Sequence, residues 1–413
     1  MKQFSVLTCA LLVMICASLY AQEQNPTLSH AFNRAQELYT DMKQQLPNTS
    51  SYPRTVGKDG KLRFTKGNDW TDGFYPGCLW YLYEYTQNSQ WKQDAIEWTE
   101  TLEPLKKMTW NHDIGFIMYC SFGNGYRLVN NEKYKDILIE SANSLLTRYN
   151  PEVGCTKSWN GGSSWDKVKW QFPVIIDNMM NLELLYFATK VTGDQRYAEI
   201  ATTHARTTAR EHFRKDNSTY HVVNYDPKTG KPLNKQTCQG FADNSTWARG
   251  QAWAIYGFTM VYRETKKKEF LKKACQAADF WINHPNLPQD KVPYWDFNAG
   301  QEGYTPTWDY NAEQFKVMPR DASAAAIVAS ALFELCQYVN KKQADKYYKM
   351  AVATLESLSS PTYLAEKGTN ESFILKHCVG SIPHKNEIDV PLTYADYYYL
   401  EALLRYQKSL KNI

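Results

Sequence analysis

Residues 321–359 read DASAAAIVASALFELCQYVNKKQADKYYKMAVATLESLS and contain two adjoining helical patterns of different character. The first, 321–340, is apolar on almost every side, whereas the second, 342–359, carries its charged residues on one face. A helix that is apolar all round is buried, and a helix with one polar face borders water. The stretch therefore predicts a buried helix packed against a half-exposed helix.

The same pairing recurs along the chain. Apolar positions at helical spacing predict ten further helices, at 27–45, 75–87, 89–107, 114–128, 131–148, 175–192, 194–213, 247–264, 266–284 and 391–408. Six buried helices that alternate with six half-exposed ones predict an all-α fold, the (α/α)6 barrel, with an inner ring inside an outer ring. An open helical solenoid is the alternative, but the sequence has no fixed-length repeat that would support it.

Long links rich in glycine and proline precede several of the buried helices, at 149–173, 214–246, 285–320 and 360–390. Because each leads into a buried helix, we expect these links to gather at one end of the barrel. Residues 216–230, DNSTYHVVNYDPKTG, place β-branched and aromatic residues before a turn sequence and predict a small β-hairpin. His221 in this hairpin is either a surface histidine or part of a site.

The first 21 residues have the layout of a secretory signal peptide. Lys2 gives a basic start, residues 7–19 are apolar, and Ala21 offers a small residue at the cut. Ile15 before Cys16 is not the small residue that a lipoprotein signal needs. We therefore predict residues 1–21 as the signal, residues 22–413 as a single barrel domain, and secretion across the inner membrane into the periplasm.

Charge and cysteine usage exclude several classes of protein. A net charge of +4 with 22% charged residues gives no basic stripe for nucleic acid, and no second long apolar run could hold the chain in a membrane. Seven cysteines remain after residue 21, widely spaced and odd in number, which fits neither a disulfide framework nor a zinc site. We expect mostly buried free thiols and no metal.

The residues that open the buried helices carry most of the chemistry. Asp72, Asp113, Asp177 and Asp321 each precede or open a buried helix, so we expect them at one mouth of the barrel. Carboxylates grouped with aromatic residues are what the cleavage of a glycosidic bond needs. Helix capping is the alternative role, because an aspartate accepts hydrogen bonds from the free N–H groups of a first turn.

Asp177 differs from the other aspartates because the fully apolar lead 173–176 precedes it. Apolar surroundings should raise the pKa of its carboxyl, which suits a general acid.

Aromatic residues make up 14% of the chain, and tryptophans flank these motifs. Trp70 and Trp253 stand beside polar motifs, which favours stacking on a sugar, although packing in the core is the alternative. Arg249 lies in an apolar helix start, where an unpaired guanidinium is costly. It therefore needs a carboxylate, which Asp177, Asp113 or an acidic sugar would supply.

Six motifs together resemble the unsaturated glucuronyl hydrolases, family 88 of the glycoside hydrolases. They are residues 112–116, 175–182, 204–208, 221–223, 237–240 and 247–253, and the resemblance covers nearly the whole chain after the leader. The family fold is an (α/α)6 barrel, in agreement with the helix pattern. The resemblance implies that Asp177 is the general acid/base and Asp113 its partner. It also implies a sugar pocket formed by Trp70, His112, Trp159, His221, Gln239, Arg249 and Trp253, with Ser381 in the loop 378–384 that faces the rest of the substrate.

The reaction that the resemblance implies is hydration of a double bond. Polysaccharide lyases leave a C4=C5 vinyl ether in a terminal uronic acid. Asp177 would protonate C4, water would add at C5, and collapse of the hemiketal would release the remaining oligosaccharide. An ionised Asp113 nearby would raise the pKa of Asp177. The implied partner is an unsaturated glycosaminoglycan-type oligosaccharide, with no cofactor.

Three other functions are open at this point. An unsaturated rhamnogalacturonyl hydrolase would act on pectin fragments by similar chemistry on the same barrel, but the pairing of His112-Asp113 with Asp177 favours the glucuronyl class. A non-catalytic surface sugar-binding protein would also use stacking tryptophans, yet it has no need of Asp177 in an apolar setting. A sugar epimerase on a similar barrel would want paired histidines.

Overall fold

The computed structural model describes residues 26–411, so the predicted signal peptide at 1–21 lies outside the described residues. Twelve helices run through residues 26–411: α1 Pro26–Gln45, α2 Phe74–Thr86, α3 Ser89–Glu100, the composite α4, α5 Glu132–Leu146, α6 Leu182–Thr192, α7 Gln195–Glu211, α8 Ala248–Thr265, α9 Lys268–Asn283, α10 Ala322–Leu335, α11 Lys341–Leu358 and α12 Thr393–Leu410. Helix α4 begins as Ile114–Met118, continues through the π-helical turn Tyr119–Gly123 and ends as Asn124–Val129.

The even-numbered helices form a closed inner ring, and the odd-numbered helices pack outside it. Neighbours in the ring contact one another in chain order, and α12 packs back against α2. Every residue of α10 is buried, whereas α11 buries only the stripe Tyr347, Ala351, Thr354, Leu355 and Leu358. The predicted (α/α)6 barrel is confirmed. As expected, the helix of residues 321–359 that is apolar all round is buried in the inner ring, and the helix with one charged face borders water.

The helix predicted at 89–107 is shorter than expected. Helix α3 ends at Glu100, and a separate 3₁₀-helix follows at Glu103–Lys107. Pro104 accounts for the break, because it lacks the N–H group that would continue the α-helical hydrogen bonding.

The helix predicted at 175–192 also begins later, at Leu182. Residues Phe172–Ile175 form a strand, and Ile176–Asn181 form a 3₁₀-helix that leads into α6. The β-branched residues at 174–176 favour this extended approach. Asp177 therefore lies in a tight turn at the barrel mouth rather than inside an α-helix.

Nine short strands in residues 26–411 form antiparallel sheets in the loops that lead to inner helices. The pairs are β1 Tyr52–Val56 with β2 Leu62–Thr65, β3 Tyr149–Asn150 with β4 Cys155–Thr156, β5 Phe172–Ile175 with β6 Val222–Tyr225, β6 with β7 Pro232–Gln236, and β8 Cys378–Ser381 with β9 Asn386–Val390. The hairpin predicted at 216–230 is present but shifted, because the residues after Gly230 supply its second strand.

The cysteines and the apolar content of the helices were both subjects of prediction, and residues 26–411 describe them. The seven cysteines of that range are free thiols, and four of them are buried, as expected. None of its helices combines the length and the apolar character that crossing a bilayer requires.

Charged side chains close the end of the inner ring that lies opposite the loops, beside a cavity of about 620 Å³. Arg263 in α8 and Arg405 in α12 both bind the carboxylate of Glu334 in α10, at 3.1 and 3.0 Å. Arg405 also lies 3.4 Å from Glu401, and Arg263 binds Glu183. Buried charges need such partners, because removing an unpaired ion from water costs several kcal/mol.

Replacing Arg405 with leucine should destabilise the fold by about 3–5 kcal/mol, because buried carboxylates lose a shared counter-ion. Urea unfolding followed by circular dichroism measures this loss. Lys408→Ala is the control: Lys408 is 60% exposed in its pair with Glu84, so its removal should cost less than about 1 kcal/mol. Equal losses in the two variants would contradict a structural role for the buried cluster.

Candidate active site

A cleft of about 540 Å³ opens at the end of the barrel where the inner helices begin. Three of the four long links, 149–173, 214–246 and 360–390, contribute residues to its lining. Eight of the ten predicted site residues line it: Trp70, His112, Asp113, Trp159, Asp177, Gln239, Arg249 and Ser381. The other two, His221 and Trp253, are buried behind its surface.

Asp177 is held in the cleft wall by the backbone on its N-terminal side. Strand β5 pairs with β6, and the N–H of Ile176 donates to the carbonyl of His221 at 3.0 Å. Residues 174–176 are buried, and only 14% of the Asp177 side chain is exposed. Burial raises the pKa of Asp177 to about 7, against the opposing effect of the nearby Arg249 charge. This agrees with the expectation drawn from the apolar lead.

Asp113 takes the N-cap position of α4 without capping it, because its carboxyl makes no hydrogen bond to the first turn. Capping therefore does not explain this aspartate, in contrast to Asp321, whose carboxylate accepts the N–H of Ser323 at 3.1 Å. The Asp113 side chain is 12% exposed. Burial and the neighbouring charge of Asp177 raise the pKa of Asp113 to about 8.

Each carboxyl makes ionisation of the other harder, because two negative charges would lie close together in the buried cleft. The Arg249 charge and the indole N–H of Trp253 favour the carboxylate form of Asp177, but burial outweighs them. Near neutral pH the pair therefore carries at least one proton.

The His112 ring faces Asp113 and is neutral. The Asn181 side-chain oxygen accepts the N–H of Phe116 at 2.9 Å, so its amide nitrogen faces His112 Nδ1, 3.2 Å away. That contact leaves the ring hydrogen on Nε2, which lies 3.4 Å from Asp113 Oδ1. Burial holds the pKa of His112 well below its usual range, so the ring is uncharged at neutral pH.

Gly115 makes this arrangement possible. A Cβ atom at that position would lie 2.5 Å from the Cα and the side-chain oxygen of Asn181. Only glycine therefore allows α4 to approach the residue that orients His112.

The His221 ring faces Asp177 in the way that His112 faces Asp113. Its Nδ1 accepts the N–H groups of Cys238 and Gln239 at 3.0 and 3.2 Å, which places the ring hydrogen on Nε2. Nε2 lies 3.8 Å from Asp177 Oδ2. The residue is 3% exposed, so the surface interpretation of His221 is wrong. Burial again holds the pKa well below its usual range and keeps the ring neutral.

Arg249 does pair with a carboxylate, but that carboxylate is neither Asp177 nor Asp113, the two protein partners that were expected. Its guanidinium lies 3.1 Å from Asp321, the residue that caps α10, and not in contact with Asp177 or Asp113. It also donates to the carbonyls of Val379 and of Gly380, the latter at 2.7 Å. Arg249 is 1% exposed, so it fixes strand β8 to two inner helices from inside the protein.

The three predicted tryptophans have different positions. Trp70 lies in the cleft wall against Tyr394, with ring centroids 5.0 Å apart. Trp159 stacks on Trp170 at 5.5 Å. Trp253 is fully buried against Phe116, and so it supports the site from below rather than offering a face to a sugar.

Other lining residues were missed. Tyr394 lies in the first turn of α12, in the sequence Thr393-Tyr394-Ala395-Asp396. The predicted aspartates precede or open the other inner helices, so the same position on this last inner helix was a signal for Tyr394. Arg54 lies in strand β1, which the helical pattern did not reveal; it pairs with Asp69 and Glu387.

The sequence model of Glycosyl Hydrolase Family 88 matches residues 44–399. An unsaturated glucuronyl hydrolase of Formosa agariphila is 48% identical over 360 residues, which cover 87% of this chain and 85% of that protein. An unsaturated chondroitin disaccharide hydrolase of Streptococcus agalactiae is 33% identical, over 86% of each chain. The crystal structure of an unsaturated glucuronyl hydrolase specific for heparin superposes with a TM-score of 0.85 at 44% identity and covers 94% of this chain and 98% of that one.

Replacing Arg249 with methionine should destabilise the fold by about 3–5 kcal/mol, because Asp321 would stay buried without its counter-ion. The double variant Arg249→Met/Asp321→Asn removes both charges and should recover part of that loss. Chemical unfolding of the three proteins measures this. A single variant that folds as stably as the parent and only binds substrate less tightly would show that Arg249 serves the ligand rather than the fold.

Proposed function

Because this chain belongs to glycosyl hydrolase family 88, we propose that it removes a terminal 4,5-unsaturated uronic acid from lyase-generated glycosaminoglycan oligosaccharides. The chain is a glycoside hydrolase, which excludes the non-catalytic sugar-binding protein. One observation carries the proposal: two carboxyls face a common cleft, and burial lets them keep protons near neutral pH. A carboxylic acid that is protonated at neutral pH is what protonation of a carbon–carbon double bond needs.

Asp177 is the proposed proton donor. The C4=C5 bond of the unsaturated sugar is polarised by the ring oxygen on C5, so C4 is the carbon that accepts a proton. When Asp177 protonates C4, positive charge develops at C5 and is shared with the ring oxygen. A water molecule then bonds to C5 and returns a proton to the Asp177 carboxylate.

The glycosidic bond breaks only afterwards. Hydration leaves a hemiketal at C5, and its ring opens to a ketone at C5 and a hemiacetal at C1. Collapse of that hemiacetal to an aldehyde expels the remaining sugar as an alcohol. One water molecule is consumed, and Asp177 ends in its starting protonation state.

Asp113 assists Asp177 in this proposal. Burial and the charge that Asp177 gains both favour the protonated form of Asp113, which can donate a hydrogen bond to the bound sugar while Asp177 gives up its proton. The Nε2–H groups of His112 and His221 then stabilise whichever carboxyl becomes charged, since each faces one of the two aspartates.

The substrate class rests on the relatives. The two curated proteins are named for glucuronyl and chondroitin disaccharide hydrolysis, which supports glycosaminoglycan fragments over the pectin alternative. The far side of the cleft, with Ser381, His384 and Gln239 in its lining, is the proposed contact surface for the second sugar. Secretion directed by residues 1–21 remains a prediction, and it suits an enzyme that follows polysaccharide lyases.

Asp177→Asn should lose nearly all turnover while the fold survives, because an amide cannot supply the proton. Asp113→Asn should be severely impaired. The assay follows the loss of ultraviolet absorbance as the conjugated double bond of an unsaturated chondroitin or heparin disaccharide is consumed.

Asp396→Asn is the matched control. Asp396 is also fully buried, and burial raises its pKa to about 7, but it accepts the N–H groups of Ile374 and Leu375 away from the cleft. This variant should lose stability and keep its turnover per folded molecule. Near-normal rates in Asp177→Asn would refute the assignment.

Turnover should fall as the pH rises through about 7, because the reactive form of Asp177 carries a proton and its pKa lies there. Above that point each further pH unit should lower the rate about tenfold. The rate is measured under substrate saturation, with tryptophan fluorescence checking that the protein stays folded. A rate that increases through neutral pH would mean that the ionised carboxylate is the active form.

A further inference from the structure

Arg148 follows the outer helix α5 and reaches the barrel mouth from the side. The residue is 6% exposed. Its guanidinium donates four hydrogen bonds to neutral oxygens: the carbonyls of Thr109 (2.5 Å), Lys157 (2.7 Å) and Ser158 (3.1 Å), and the side-chain oxygen of Asn160 (3.0 Å).

These four oxygens belong to two different loops. Thr109 lies in the loop that leads into His112 and Asp113, and the other three flank Trp159 in the loop before strand β5. Arg148 belongs to neither of these loops. It therefore holds the two loops together from outside the cleft.

The connection continues from Ser158 to Asp177. The Ser158 hydroxyl donates to the side-chain oxygen of Asn178 at 2.7 Å and accepts the N–H of Ile175 at 2.9 Å. Asn178 follows Asp177 directly, and Ile175 precedes it by two positions. The tight turn that carries Asp177 is therefore bound to the same serine whose carbonyl Arg148 holds.

We propose that Arg148 is a positioning residue that sets the spacing of Asp113 and Asp177 by holding both of their loops on one guanidinium. This inference rests on the proposed function, because it gives Arg148 a part in that reaction. Arginine suits the task, since its planar group offers several donors in fixed directions, which the single ammonium of lysine cannot reproduce. Misplacing a catalytic group by about 1 Å can lower a rate about 100-fold.

Arg148 also lies close enough to Asp113 for its positive charge to favour ionisation of that carboxyl. A cation near a carboxyl favours its ionised form, so removing that cation should make ionisation of the aspartate pair harder. Shape and charge can therefore be separated by two substitutions. Arg148→Lys keeps the charge and loses the planar group, and Arg148→Gln loses both.

The experiment compares turnover, KM and pH profile of these variants on an unsaturated disaccharide, with folding checked by circular dichroism. Both variants should lose about 10- to 100-fold in kcat with a smaller change in KM. Only Arg148→Gln should move the alkaline limb of the profile to higher pH.

Arg214→Lys is the matched control. Arg214 likewise donates to the carbonyls of Thr219, Asp243 and Ser245, at 2.8, 2.8 and 2.9 Å, but it contacts neither aspartate loop. Its replacement should lower the melting temperature comparably and leave kcat and the pH profile close to the parent. An equal fall in kcat would overturn the proposal, because it would show a general loosening of the mouth.

Ser158→Ala covers the case in which the Arg148 variants do not fold. It removes one hydroxyl from the same connection and should lower kcat about 10-fold at unchanged KM. Full turnover in Ser158→Ala, or in a folded Arg148→Lys, would overturn the inference while leaving the parent's reaction intact. A parent enzyme that fails to consume the unsaturated disaccharide would instead refute the proposed function.

Discussion

The proposed chemistry of this barrel depends on keeping two carboxyl groups largely out of water. In solution an aspartate is ionised at neutral pH, and it then has no proton to give. At the mouth of the inner ring, burial raises the pKa of Asp113 to about 8 and that of Asp177 to about 7. Both side chains are largely covered at the mouth, with exposed fractions of 12% for Asp113 and 14% for Asp177.

The neighbours of the two aspartates preserve that state. A cation in direct contact would hold a carboxyl ionised, and the nearby guanidinium groups are bound elsewhere, Arg249 to Asp321 and Arg148 to neutral oxygens. The neutral rings of His112 and His221 lie beside the aspartates, with Nε2 atoms 3.4 Å from Asp113 Oδ1 and 3.8 Å from Asp177 Oδ2. They can stabilise a developing negative charge without removing the proton beforehand.

The alternation of buried and half-exposed helices was predictable because helical periodicity is a local property of the sequence. The raised pKa of Asp177 was predictable for the same reason, because the apolar residues that precede it are adjacent in the chain. The remaining features join distant parts of the chain. Strand β5 pairs with β6 across some 50 residues, and Arg249 pairs with Asp321, 72 positions away. Periodicity carries no information about such partners. For the same reason the sequence predicted Trp253 at the site but could not show that this residue lies beneath the cleft.

The central claim is that the buried proton of Asp177 is transferred to carbon. Running the reaction in D₂O, with NMR and mass spectrometry of the released sugar at early times, tests it most directly. The predicted result is one carbon-bound deuterium at C4, on one face only. A released sugar that keeps its C4=C5 double bond and gains no deuterium on carbon would contradict the claim, because that is the outcome of ordinary displacement at the anomeric carbon.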